Sequence, residues 1–150
     1  MIYLASSWRN KYYPGVLNDL QDNGFNVYDF RAGPSAFKWA QVDIAAFSHP
    51  NKEEWTFERY ITALQHPRAE EGFQRDSQAL HTCSTLILVC PSGRSAHLEL
   101  GIAIGRGIPT IIYMPEDQEP ELMYLETTIL TNKMERVLEE AASCERFQPI

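Results

Sequence analysis

The stretch TLILVCPSGRSAHLELG, residues 85–101, decides the fold of this chain. It opens with an apolar run, 85–90, of the kind found in buried strands. It continues through a loop of small residues into a predicted helix, and α/β folds present polar groups to ligands in this way. Glu99 lies in the expected first turn, so its carboxylate is predicted to point into the crevice above the sheet. Alternatively, Glu99 only complements the positive helix end, which contributes roughly 0.3–1 kcal/mol.

Strands and helices alternate along the rest of the chain. The strands are predicted near residues 1–5, 25–30, 85–90, 109–113 and 127–130. Helices are predicted over residues 11–23, 73–82, 95–106 and 132–143. This alternation predicts a parallel sheet with right-handed crossovers. Five strands favour a flavodoxin-like, doubly wound α/β fold with the order 2-1-3-4-5. A chain of 150 residues is expected to form a single domain, 1–150.

One segment interrupts this alternation. Residues 31–72 contain Gly33-Pro34 and then aromatic side chains among polar ones, namely Phe37, Trp39, Phe47, Trp55, Phe57 and Tyr60. We interpret it as a long, partly helical insertion after the second strand. Such a segment forms either a lid or pocket wall or a satellite core. As a lid, residues 31–60 would cover the pocket, with Phe37 or Trp39 touching the ligand.

Composition and charge restrict the classes of molecule that this protein is expected to bind. A net charge of −7 argues against a nucleic-acid polymer or an anionic membrane, because both select basic patches. It leaves room for a small phosphorylated ligand held by a few local donors. We find no leader-like segment and no apolar run of about 18 residues, so a cytoplasmic protein is expected. Cys83, Cys90 and Cys144 are odd in number and lack metal-type spacing, which predicts reduced core thiols.

The predicted strand order brings two polar loops together at one crevice. They are SSWRN (6–10), after the first strand, and PSGRSAH (91–97), after the third. The candidate binding residues in these loops are Ser6, Ser7, Arg9, Asn10, Ser92, Arg94 and Ser95. Hydroxyls, backbone N–H groups and guanidinium groups at a helix start suit an anion, although neither loop is a glycine-rich phosphate motif. Ser95 is alternatively a helix cap, and Trp8 either stacks on a base or packs in the interior.

Asp76 is the second candidate carboxylate. The helix before the third strand should run antiparallel to the sheet, which puts its N-terminal end, expected near Asp76, at the same rim. Glu99 and Asp76 then form a pair suited to glycosyl transfer, in which one attacks the anomeric carbon and the other handles a proton. Alternatively, Asp76 only caps its helix. His97 has no second histidine nearby, so neither a metal nor another cofactor is expected.

Three short motifs give a specific resemblance. YLASSW (3–8), F-x-x-D (73–76) and LELG (98–101) resemble, in this order, the site motifs of nucleoside 2-deoxyribosyltransferases. The implied fold covers nearly the whole chain. The resemblance implies that Glu99 is a nucleophile that forms a covalent (deoxy)ribosyl-enzyme, that Tyr3 orients it, and that Asp76 is the proton-transfer partner.

The same resemblance has consequences for the pocket and for assembly. It implies that Trp8 and Trp39 wall the pocket for the base, and that the chain forms a homodimer or higher homo-oligomer whose sites borrow residues from a neighbour. The loop SGRSAH departs from the family pattern because it is not glycine-rich, and the insertion at 31–72 changes the pocket wall. SSWRN is also similar to the phosphate loop of deoxynucleoside 5′-monophosphate N-hydrolases. Nucleoside or nucleotide, and transfer or hydrolysis, therefore stay open.

Two further functions compete with this one. Domains of the TIR type share a flavodoxin-like sheet and a catalytic glutamate, so an NAD glycohydrolase is an alternative. A non-catalytic nucleotide-binding regulatory module that kept the fold is the other. In each case the expected partner is a small nucleoside or nucleotide.

Overall fold

The computed structural model describes residues 1–34, 36–42 and 55–146. Within these ranges the strands are β1 (Ile2–Ala5), β2 (Val27–Asp29), β3 (Thr85–Val89), β4 (Thr110–Tyr113) and β5 (Ile129–Thr131). The α-helices are α1 (Tyr13–Asp22), α2 (Phe57–Leu64), α3 (Pro67–Thr82), α4 (Arg94–Gly105) and α5 (Met134–Arg146). Two short 3-10 helices span Trp39–Gln41 and Leu122–Glu126. The backbone divides into two units: a first made of Met1–Asp29 and the chain from Ala79 onward, and a second made of Phe30–Gln78.

A parallel sheet with the order β2-β1-β3-β4-β5 forms the centre of the first unit. Each neighbouring pair of strands is parallel, with Leu4 opposite Ile87 and Ile87 opposite Ile111 across the middle. Every residue of β3 is buried, as expected for a continuously apolar strand that is covered on both faces. The predicted fold class and strand order are confirmed.

Helices cover both faces of this sheet. On one face, Tyr3 and Leu88 belong to the same buried cluster as Ala96 and Leu100 of α4. Side chains alternate along a strand, so Ile87 faces the other side. The helices α1 and α5 contribute nothing to that cluster and contact the strands, α1 at β2 and α5 at β3, β4 and β5. The carboxyl ends of β1 and β3 therefore lie side by side, with α4 on one face of the sheet.

The helix that carries Glu99 begins earlier than the sequence pattern indicated. Its N-cap is Gly93 and its first residue is Arg94, so Glu99 is the sixth residue and lies in the second turn. The prediction of a first-turn glutamate was wrong, and so was the alternative in which Ser95 caps the helix. The predicted start at residue 95 was one residue late, and Glu99 is beyond the first turn of a helix that starts at either position. Because dipole effects fade beyond the first turn, the purely electrostatic role of Glu99 is weakened.

The helix α3 also begins earlier, at Pro67 rather than near residue 73. Asp76 is consequently its tenth residue, and the predictions that Asp76 lies near the helix start or caps it were wrong. The first turns are polar and give no apolar periodicity, although proline at the first position and Glu70 in the first turn favour a helix start. The N–H of Arg68 donates to Nδ1 of His66 at 3.1 Å, which satisfies one of the free donors at this end.

Aromatic packing dominates the described part of the second unit. Phe37 meets Trp39, Trp39 meets Trp55, and Trp55 meets Tyr60, each edge to face, with ring centroids 4.9, 5.9 and 6.4 Å apart. A Cβ on Gly72 would lie 2.7 Å from the Cβ of Phe37, so only glycine lets this ring approach α3 so closely. Phe37, Trp39 and Trp55 are half-buried and Tyr60 is exposed, so both the lid and the satellite core stay predictions. Of the predicted insertion, Ser35 and residues 43–54, which include Phe47, lie outside the described residues.

The three cysteines are free thiols, as predicted. Cys83 and Cys90 are buried and Cys144 is half-buried. Burial raises the pKa of each thiol above its usual value, so the thiols stay protonated at neutral pH. No helix within the described ranges is long and apolar enough to cross a membrane.

Candidate functional site

The loops that follow β1 and β3 are bonded to each other. Ser6 Oγ donates to the carbonyl oxygen of Val89 at 2.8 Å. The amide of Asn10 donates to the same carbonyl at 3.1 Å and to that of Pro91 at 2.9 Å. The predicted adjacency of these two loops is confirmed, and it follows from the pairing of β1 with β3.

Asn10 holds the first loop in place. Its side chain is buried, and Oδ1 accepts from the backbone N–H groups of Tyr12 and Tyr13 at 2.7 and 3.0 Å. With the bonds that its amide NH2 donates to the carbonyls of Val89 and Pro91, the side chain of Asn10 is bonded to four backbone groups. Binding a substrate through Asn10 would require exchange of these bonds. A structural role is therefore the one that the geometry supports.

The other loop residues differ in exposure. Trp8 is 40% exposed and Arg9 is exposed, whereas Ser7 is half-buried and its Oγ accepts from the backbone N–H of Arg9 at 3.2 Å. In the second loop, Ser92 is half-buried, and Arg94 and Ser95 are exposed. The cap residue Gly93 has no side chain, so it cannot satisfy the N–H groups of the first turn of α4. Two exposed guanidinium groups and free helix N–H groups thus occur in the two joined loops.

Glu99 and Tyr3 lie on the same face of the sheet. Tyr3 is fully buried in the cluster that contains Ala96, and its ring stacks on Tyr28 with centroids 5.2 Å apart. Glu99 is half-buried and follows Ala96 by three residues, which places both on one side of α4. The carboxylate of Glu99 is thus half-buried on the sheet-facing side of α4, and its predicted position in the crevice above the sheet stays a prediction. The contact between Tyr3 and Glu99 stays a prediction.

Asp76 belongs to the second unit, where its neighbour Arg75 holds it. The guanidinium of Arg75 donates to Oδ1 of Asp76 through Nε and Nη2, at 3.3 and 3.2 Å. The same group donates to the carbonyls of Phe30 and Ala32, at 2.7 and 3.3 Å. Arg75 therefore orients the carboxylate and ties α3 to the chain after β2. The sequence analysis did not identify Arg75. Its position directly before Asp76 was the one sequence feature that could have indicated this interaction. Trp39 also lies in this unit, half-buried, and its contact with a ligand stays a prediction.

A network of side chains that the sequence did not reveal lies beside the start of α4. Tyr124 reaches there from the 3-10 helix between β4 and β5, and its hydroxyl lies 2.8 Å from Nε2 of His97 and 3.7 Å from Sγ of Cys90. Nδ1 of His97 lies 2.9 Å from the carbonyl oxygen of Gly93 and 3.5 Å from Oγ of Ser92. The rings of Tyr124 and His97 are nearly parallel. Residues 27 positions apart in sequence thus meet at the helix start.

The first loop is also fastened to the loop after β4. Tyr12 donates to Oε2 of Glu116 at 2.7 Å, and Nζ of Lys11 lies 3.4 Å from the same oxygen. The hydrogen bond from Tyr12 lowers the pKa of Glu116, and the hydrogen bond with Tyr12 raises the pKa of Lys11. Glu116 borders a groove of about 440 Å³ that Asp117, Lys133 and residues at the ends of β4 and β5 complete. Within residues 1–34, 36–42 and 55–146, no cluster of three His, Cys, Asp or Glu side chains could hold a metal ion.

Comparison with solved structures relates this geometry to a known enzyme. A 2-deoxyribosyltransferase from Bacillus psychrosaccharolyticus superposes with a TM-score of 0.59 over 95% of this chain and 94% of that one. This chain has that fold. The sequence identity is 18%, so the likeness shows the fold alone. No family model matches the sequence, and no curated protein does. The fold that the three sequence motifs implied is thereby confirmed.

Proposed function

We propose that this chain is an enzyme that cleaves the N-glycosidic bond of a (deoxy)nucleoside or of its 5′-monophosphate. The observation that carries the proposal is the position of Glu99. It is half-buried on the sheet-facing side of α4, in a chain with the fold of a 2-deoxyribosyltransferase. Tyr3 lies on the same face of the sheet, where a phenol can orient a carboxylate. The residue and its surroundings therefore suit a nucleophile better than a surface charge.

In the proposed reaction Glu99 attacks the anomeric carbon of the sugar. The new bond joins a carboxylate oxygen to that carbon, the bond between the sugar and the base breaks, and the departing base takes up a proton. Water or a second base then attacks the same carbon, which releases the sugar and restores the carboxylate. Asp76 is assigned the proton transfers, and Arg75, which donates to its Oδ1, keeps that carboxylate oriented.

The proposed binding groups come from the two joined loops. Arg9 and Arg94 are exposed and can hold the phosphate of a nucleotide, and the N–H groups at the start of α4 suit the same anion. Ser6, Ser7, Ser92 and Ser95 supply hydroxyls, and Trp8 and Trp39 are assigned to the base. No cofactor is required by this chemistry. If the substrate is a 5′-monophosphate, Arg9 and Arg94 are the side chains that recognise its phosphate.

A product assay tests the proposal directly. The protein is incubated with 2′-deoxyribonucleosides, ribonucleosides and their 5′-monophosphates, with and without a second free base, and the products are separated by chromatography. Base released when no second base is present, together with free sugar, indicates hydrolysis, and a new nucleoside or nucleotide that contains the second base indicates transfer. Release of nicotinamide from NAD, with no release from the other substrates, would instead favour the NAD glycohydrolase. Tight binding of a nucleotide with no turnover at all would favour the regulatory module.

We also propose that the chain forms a homo-oligomer. Large apolar side chains are exposed on the outer side of α4 and on the 3-10 helix between β4 and β5: Leu98, Ile102, Leu122, Met123 and Leu125. Contiguous exposed apolar patches mark protein–protein contacts, and we propose that these side chains form one. A second copy of the chain is the partner that the sequence resemblance implies.

A further inference from the structure

The donors and acceptors in the hydrogen-bond network at the start of α4 can be assigned. A carbonyl oxygen only accepts hydrogen bonds, so Nδ1 of His97, 2.9 Å from the oxygen of Gly93, carries the proton. In the neutral imidazole Nε2 is then an acceptor, and the hydroxyl of Tyr124 donates to it at 2.8 Å. The oxygen of Tyr124 is left to accept from the thiol of Cys90. Burial raises the pKa of Tyr124 and of Cys90, so both donors keep their protons.

This network ends on the residue that starts the helix. The carbonyl of Gly93 accepts from the backbone N–H of His97 at 3.3 Å and from Nδ1 of the same residue. Gly93 is the N-cap of α4, so the imidazole fixes the point from which the helix departs. Tyr124 fixes the imidazole in turn, and Cys90, at the end of β3, fixes Tyr124. The hydrogen bonds through Tyr124 and His97 thus join Cys90, where the loop before α4 begins, to Gly93, where it ends.

We propose that Tyr124 and His97 are positioning residues for Glu99. They act by fixing the direction of α4 and the loop before it, and the proposal rests on the function assigned to Glu99 above. Neither residue is assigned a contact with substrate. Glu99 follows His97 by two residues in a continuous helix, so any rotation of the first turn moves its carboxylate. A shift of about 1 Å in a reacting group costs roughly 100-fold in rate. Hydrogen bonds that hold the start of α4 in place therefore protect the rate of the reaction.

The first test removes one hydroxyl. Tyr124→Phe keeps the ring and its stacking and deletes the donor to His97. With 2′-deoxyadenosine, which lacks the phosphate that the start of α4 is proposed to bind, we expect kcat to fall roughly 10- to 100-fold while KM stays within about twofold. With the 5′-monophosphate, KM should rise as well, because Arg94 and the N–H groups at the start of α4 are the proposed phosphate ligands. The urea midpoint should fall only by the small amount that the loss of this hydroxyl's hydrogen bonds costs. Tyr113→Phe is the matched control, because Tyr113 ends β4 on the opposite face of the sheet. Loss of activity in both variants, or a rise in KM alone, would overturn the proposal.

The second test asks whether the donor and acceptor pattern matters. The amide of glutamine offers an NH2 donor group and an acceptor oxygen, in place of the donor and the acceptor nitrogen of neutral imidazole, so His97→Gln should retain more of kcat than His97→Leu. Equal loss in both variants contradicts a hydrogen-bonding role.

The third test needs no activity. Long-range proton–nitrogen NMR spectra should show His97 with the proton on Nδ1, and amide exchange at residues 93–97 should be faster in Tyr124→Phe than in Tyr113→Phe. If no substrate is turned over, the proposed function fails. Faster exchange in Tyr124→Phe, but not in Tyr113→Phe, would still show that Tyr124 and His97 hold the start of α4. A proton on Nε2, or exchange that Tyr124→Phe leaves unchanged, overturns the proposal.

Discussion

At the scale of single residues, Glu99 is the side chain whose loss should matter most. Glu99→Gln keeps shape and hydrogen-bonding reach but removes the charge of the nucleophile, so activity should fall by about a thousandfold or more. Stability should change by no more than about 1 kcal/mol. Mass spectrometry of the parent enzyme, quenched during turnover, should find a sugar on the peptide that contains Glu99.

The control for this substitution is Glu139→Gln. Glu139 is an exposed residue of α5 whose Oε2 pairs with Arg136 at 3.0 Å, and exposed pairs contribute little to stability. Its replacement should leave turnover unchanged. A Glu99→Gln variant that is fully active and carries no adduct would remove the basis for the proposed reaction.

Asn10 should matter for stability instead. Asn10→Ala removes the acceptor of the N–H groups of Tyr12 and Tyr13 and the donor to the carbonyls of Val89 and Pro91, of which Val89 keeps its bond from Ser6. We expect a loss of roughly 2–3 kcal/mol in the free energy of unfolding, measured by urea denaturation. Ser7→Ala, in the same loop, should cost less than about 0.5 kcal/mol. Equal losses in the two variants would show that Asn10 does not hold the loop.

At the scale of elements, the sequence predicted the strands of the described sheet, because β2 lies in an alternating segment and each of the others is a short apolar run between polar segments. It placed the start of α4 within one residue of Arg94 but missed the start of α3 at Pro67, because the first turns of α3 are polar and carry no apolar period. The joined loops were predictable from strand order. The contacts of Tyr124 and of Glu116 were not, since they join residues 27 and 104 positions apart and leave no local pattern.

The packing of α3 gives a prediction at the same scale. Gly72→Ala should raise helix propensity, by up to about 1 kcal/mol, yet its Cβ would lie 2.7 Å from that of Phe37. We therefore expect a net loss of roughly 1–3 kcal/mol, seen in urea unfolding followed by tryptophan fluorescence. Gly15→Ala in α1, where nothing lies within 4 Å of the new atom, should stabilise by about 0.5–1 kcal/mol. Stabilisation by Gly72→Ala would contradict the close approach.

At the scale of the whole molecule, the exposed apolar residues of α4 give a test of assembly. Ile102 is 44% exposed, and Ile102→Glu places a charge on the proposed contact at little cost to the folded chain. Sedimentation velocity should show an oligomer for the parent protein and a shift to monomer for this variant. Leu64→Glu, at an exposed apolar position of α2, is the control and should keep the parent's assembly state. A monomeric parent protein would refute the proposal of a homo-oligomer.

The pairing of β1 with β3 also has a consequence for synthesis of the chain. β1 is synthesised before β3, whose Thr85 is the partner of Ile2, and the ribosome adds about 5–20 residues per second. Roughly 4 to 16 seconds pass before that partner exists. Throughout this interval one side of an apolar strand has an unpaired backbone edge, which is a template for association with other chains. The nascent protein is therefore most vulnerable to aggregation before residue 85 is added, and protection by a chaperone would be most useful then.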